Sequence, residues 1–80
     1  MTTTETIRAT TLTFLEKFIH TDVEDDEDLF ASGLVNSLFA MQLVLFVEKE
    51  FNIRVENQDL DIANFRSVNA ITSFIQNKIA

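Results

Sequence analysis

The chain has no cysteine, proline, tryptophan or tyrosine, and only one glycine and one histidine. Each absence removes a class of chemistry. Without cysteine there is no disulfide framework, no thiolate metal site and no cysteine nucleophile. A lone histidine, His20, excludes multi-histidine zinc sites and leaves little for acid–base work. With no proline and only Gly33, no linker, repeat or low-complexity segment is visible. Basic residues are scarce too: 6 Lys+Arg stand against 13 Asp+Glu, a formal charge of −7. A nucleic-acid binder needs a basic footprint, which this balance denies. The longest apolar run, Leu43 to Val47, is far too short to span a bilayer. The first eleven residues lack the apolar core of a signal peptide, so a cytoplasmic protein without membrane contact is expected.

What is present is apolar material for a core. A hydrophobic fraction of 46%, with eight Phe, predicts one packed domain over residues 1–80 with a core of modest size. Thr2-x-x-Glu5 reads as a capping box. Ile7, Thr11, Phe14, Leu15, Phe18 and Ile19 then recur at helical spacing up to His20. Leu38 to Phe51 is the most apolar segment, and its length and closing Glu48-Lys49-Glu50 favour a helix that stops at Asn52. Asn57 is placed to cap a single turn through Leu60 and Ile62. Ser67 caps a last helix with an apolar face of Val68, Ala70, Ile71, Phe74, Ile75 and Ile79. The expected fold is all-α: a small four-helix bundle of three main helices and one short one, with a long loop between helices 1 and 2.

That loop, Thr21 to Asn36, holds six of the thirteen acids, Asp22, Glu24, Asp25, Asp26, Glu27 and Asp28. A loop of this length in a small domain is usually functional or disordered. Leu29, Phe30 and Leu34 are apolar enough to pin its second half to the core. Its acids do not follow a calcium-loop pattern, since from Asp22 the sixth and twelfth positions are Glu27 and Gly33. A solvated charge cluster is the simpler reading, and no metal site is assigned.

The loop ends in Gly33-Leu-Val-Asn36-Ser37-Leu38, which sets a serine at the mouth of a helix. Asn36 is a good cap, and the first-turn N–H groups there favour an attached anion such as a phosphate diester. A plain N-cap role for Asn36 or Ser37 explains the same residues, and on spacing alone it is the stronger reading. A catalytic serine would need a base oriented by a third group, and there is neither a second imidazole nor a G-x-S-x-G elbow. No enzymatic activity is expected.

At roughly 100° per residue, Ala40, Leu43, Val44, Val47 and Phe51 share one side of the second helix. Gln42, Glu48 and Lys49 share the other. Between those polar residues lie Leu38, Met41 and Leu45, where a surface helix normally carries polar groups. Either this strip faces solvent as a docking surface, or the loop or fourth helix covers it.

The Gly33–Leu38 motif, the helix ending Glu48-Lys49-Glu50-Phe51 and the Asn64-Phe65-Arg66-Ser67-Val68 entry to the last helix together resemble the acyl and peptidyl carrier protein family. The likeness covers nearly the whole chain, its helix order and its acidic balance. It implies a 4′-phosphopantetheine arm, derived from coenzyme A, on Ser37, with Asn36 and Leu38 flanking the attachment. Asn36 stands where the family usually has Asp, which keeps the cap oxygen and loses a charge. The resemblance implies as partners a phosphopantetheinyl transferase and acyl-loading and acyl-transfer enzymes. They would dock on Leu38, Phe39, Met41, Gln42, Leu45 and Glu48 of a monomeric carrier. The Ser37-Leu-Phe-Ala-Met-Gln-Leu-Val44 run looks most like free-standing carriers of short polyketide extender units in secondary metabolism. The alternatives are an aminoacyl, D-alanyl or peptidyl carrier and, from another class, an unmodified helical adaptor.

Overall fold

Side-chain caps set most of the helix starts in the computed structural model, which describes residues 3–20 and 22–79. Helix α1 spans Thr4–Ile19 and is capped by Thr3, whose hydroxyl accepts from the Thr6 N–H at 3.1 Å. Thr2, the expected cap, lies outside the described residues. With the cap at Thr3, Glu5 falls in the first turn and pairs with Arg8 at 2.7 Å. His20 ends α1 in the left-handed region, φ 62°. Helix α2 spans Ser37–Phe51, and Asn52 ends it in the same way, φ 53°.

The expected single turn at Asn57 divides into two. A 3-10 turn covers Asn57–Asp59 and a separate short helix, α3, covers Ile62–Phe65. The carboxylates explain the division. Asp59 accepts from the Glu56 N–H at 3.0 Å and from the Lys78 ammonium at 2.6 Å, which closes the first turn. Asp61 accepts from the Ala63 N–H at 2.9 Å, which opens the second. Lys78, then the Glu56 amide, holds the Asp59 carboxyl below its ordinary range. Helix α4 spans Val68–Ile79, and the Ser67 hydroxyl accepts from the Ala70 N–H, as the sequence predicts.

Every regular element among the described residues is helical, and the four helices form the expected bundle, 30 × 26 × 19 Å. The innermost core is Ile7 and Leu15 of α1, Leu43 and Val47 of α2, and Val68, Ile71 and Ile75 of α4, all without solvent exposure. Full burial of a side chain of this kind is worth about 1.5–3 kcal/mol. No described helix is long and apolar enough to cross a membrane.

The long loop is tied down at both ends of its acidic run. Leu29 is fully buried, with Phe30 and Leu34 half-buried against the core. Val23 and Val35, not singled out from the sequence, are buried as well. The Leu29 N–H donates to the Arg66 carbonyl at 2.6 Å, and the Asn69 N–H to the Asp25 carbonyl at 2.9 Å. Arg8 reaches from α1 to the Asp25 carboxylate at 3.1 Å. Between Glu5 and Asp25, its guanidinium lowers the pKa of Glu5, and its own is raised. The remaining acids include turn-makers: Asp28 accepts from the Phe30 and Ala31 N–H groups, and Glu27 from that of Glu24.

Candidate functional site

Helix α2 begins where the loop runs out of tethers. Asp28 and Ser32 close a tight turn, with the Ser32 N–H donating to the Asp28 carbonyl. Gly33 then takes φ +81°, a conformation that side chains rarely adopt. The Val35 N–H returns to the Leu29 carbonyl at 3.0 Å, and the Val35 side chain is buried. With the chain anchored one residue earlier, Asn36 is extended and its side-chain oxygen accepts from the Phe39 N–H at 2.9 Å. Ser37 is therefore the first helical residue, and it is exposed.

This arrangement presents a primary hydroxyl to solvent at the positive end of a 15-residue helix. The cap satisfies the Phe39 N–H and leaves the earlier N–H groups of the turn free of intrahelical partners. A phosphodiester formed at the Ser37 oxygen meets exposed space and favourable dipoles there, so the residues present fit a phosphate-linked group. His20 caps the far end of α1 and belongs to a different element.

The structure brings some of the remaining candidates together and separates others. Leu38, Met41 and Leu45 are exposed, at 75%, 54% and 57%. The strip read from the helical periodicity is open, covered neither by the loop nor by α4. Gln42 is exposed beside it. Phe39 is not part of this surface. It is half-buried and stacks on Phe14, with ring centroids 5.9 Å apart, and lies 5.8 Å from Phe18. Glu48 is half-buried, and its carboxylate accepts from the Val55 N–H at 2.8 Å, holding the segment after α2.

The sequence reading missed a cleft that adjoins Ser37 and shares Met41 with the strip. A space of about 240 Å³ lies between α2 and α3, lined by Ser37, Met41, Val44, Asp61, Ile62 and Phe65 among others. Leu60 and Ile62 stand exposed at its rim. The signal available beforehand was the pair of apolar residues flanking Asp61 in a polar segment. A larger groove of about 400 Å³ between α1 and α2, lined by Phe14, Lys17 and Phe46, does not include Ser37. Among the described residues no group of three His, Cys, Asp or Glu is placed to hold a metal ion.

A helical carrier domain with an exposed serine at the head of its second helix is the class that this fold and site define. The family described as "Phosphopantetheine attachment site" matches residues 6–75. The chain belongs to that family, and its prosthetic group is 4′-phosphopantetheine. Among similar proteins is the D-alanyl carrier protein of Streptococcus equi subsp. zooepidemicus (strain MGCS10565), 31% identical over 78 residues, covering 95% of this chain and 94% of that protein. The D-alanyl carrier protein of Streptococcus suis (strain 05ZYH33) is 30% identical over 69 residues, covering 84% and 87%. That of Streptococcus sanguinis (strain SK36) is 31% identical over 67 residues, covering 81% and 85%. Carriers of this family work with a phosphopantetheinyl transferase and with acyl-handling enzymes.

Proposed function

We propose that residues 1–80 act as one carrier unit that holds 4′-phosphopantetheine on Ser37 and delivers a small aminoacyl group, D-alanyl first among them, to partner enzymes. The observation that carries the attachment is the exposed Ser37 hydroxyl on the first turn of α2, in a chain matched by the attachment family over residues 6–75. The group supplies a thiol, absent from this cysteine-free chain, on which an acyl group is held as a thioester. The chain's own part is to anchor, orient and present: Asn36 organises the turn, Ser37 bears the link, and Leu38 follows it on the exposed face.

Likeness along almost the full length of D-alanyl carriers supports an aminoacyl cargo over a polyketide extender unit. The Ser37–Val44 run is the one feature that favours the polyketide reading. Partner docking is assigned to the open strip of Leu38, Met41 and Leu45, with Gln42 at its edge. Phe39 and Glu48, engaged in packing and in the Val55 hydrogen bond, support that surface from behind.

The test begins with coenzyme A, a broad-specificity phosphopantetheinyl transferase and intact mass. A gain of one arm that disappears in Ser37→Ala is expected. No gain, or a gain that persists in Ser37→Ala, overturns the attachment. The loaded arm is then offered D-alanine with an adenylating enzyme and, separately, malonyl-type acyl groups with an acyltransferase. Preferential charging by the acyltransferase overturns the aminoacyl cargo and restores the polyketide one.

A further inference from the structure

The cleft beside Ser37 has apolar walls and one ionisable group, Asp61. One oxygen of Asp61 accepts from the Ala63 N–H, which caps α3. The ion pairs among the described residues are Arg8 with Glu5 and Asp25, and Lys78 with Asp59. Asp61 has no cationic partner there. Capping alone does not call for a charge, since Ser, Thr or Asn serves as well at that position. Nor does a cleft meant only for hydrocarbon, which gains nothing from the exposed carboxylate that Asp61 sets among its lining residues.

We infer that Asp61 is a selectivity residue for the cargo, its carboxylate receiving the ammonium group of an aminoacyl thioester that the arm folds back into the cleft. The inference rests on the proposed attachment at Ser37 and on the aminoacyl reading. Ser37 forms part of the cleft wall, so a flexible arm anchored there keeps its terminal group at high local concentration beside Asp61. A small amino acid lays its side chain on Met41 and Ile62 and its ammonium on the carboxylate. A plain acyl group of equal size has only the apolar contact. An ammonium paired with a carboxylate surrenders its proton less readily, so the seated amine is a poorer nucleophile toward its own or a neighbouring thioester.

The test uses two arms that differ only by the ammonium group. Coenzyme A analogues carrying non-hydrolysable alanyl or propionyl amides are transferred to the chain, and the loading site is confirmed by mass. ¹H–¹⁵N spectra of the two loaded forms are then compared. Differences are expected at the amides of Met41, Val44 and residues 60–65, and are expected to shrink at least threefold in Asp61→Asn, which retains a cap oxygen. With true thioesters, Asp61→Asn should shorten the lifetime of the alanyl form roughly two- to fivefold, the scale of a partly exposed ion pair, and leave the propionyl form unchanged. Identical cleft shifts for both cargoes, or a difference that survives Asp61→Asn, overturn the inference and leave the carrier reading intact. No loading on Ser37 overturns both.

Discussion

Asn36 organises the start of α2 through a single oxygen atom. Replacing it by Ala removes the acceptor of the Phe39 N–H and leaves that donor to water. The expected cost is about 1 kcal/mol, read from urea denaturation of the unmodified chain. Ser37→Ala, one residue on, makes an exposed position smaller and more helix-prone, so its urea midpoint should not fall. Two other hydroxyls matter for the opposite reason. The oxygens of Thr11 on α1 and Thr72 on α4 are buried and have no hydrogen-bond partner among the described residues. A buried polar atom without a partner costs free energy that an apolar atom of the same shape does not. Thr72→Val should therefore raise stability by about 1 kcal/mol. A fall of that size would show that the hydroxyl is satisfied by a trapped water.

Helix α2 carries opposite tasks on its two sides. Leu43 and Val47 are fully buried, whereas Leu38, Met41 and Leu45 face solvent. Leu43→Ala should cost 2–5 kcal/mol, in the ordinary range for a core leucine. Met41→Ala and Leu45→Ala should cost less than about 1 kcal/mol and leave the circular dichroism unchanged, because exposed side chains lose little on truncation. Their effect belongs on transfer: roughly tenfold slower arm attachment or loading for each, if about 1.4 kcal/mol of apolar contact is made in the transition state. Unchanged rates in both variants would move the docking surface to the loop before Ser37. That loop is ordered at Leu29 and Val35 by backbone hydrogen bonds as well as burial. Its polar tip and its anchors are thus physically distinct parts of one connection.

At the scale of the whole molecule, charge opposes compactness. The chain carries −7, and six acids sit within residues 22–28. Self-repulsion of this kind is screened by salt, so the melting temperature should rise with ionic strength. Among the described residues, Arg8 pairs with the cluster through Asp25, and it ties α1 to the loop. Arg8→Ala should lower the melting temperature at low salt and steepen its rise with added salt. A salt response no steeper than that of the parent chain would show that Arg8 does not relieve the cluster.

The helical periodicity of α1, α2 and α4, the stops at His20 and Asn52, and the caps at Asn36 and Ser67 were legible in the amino-acid order, because each depends on neighbours within one turn. The open strip at Leu38, Met41 and Leu45 was legible only as one of two outcomes, since whether a face is covered depends on what lies across from it. Long-range packing decided the rest. Val23 and Val35 became core because the loop is drawn in by Arg8, Arg66 and Asn69, which are distant in sequence. Phe39 turned inward because Phe14 and Phe18 of α1 lie against it. Lys78 of α4 pairs with Asp59 in the turn before α3, and α3 faces Ser37 across the cleft. Local caps and periodicity thus determined where the helices run and where the serine sits. Only the tertiary structure placed Asp61 and an apolar cleft next to that serine, because contacts between distant segments have no signature in the order of residues.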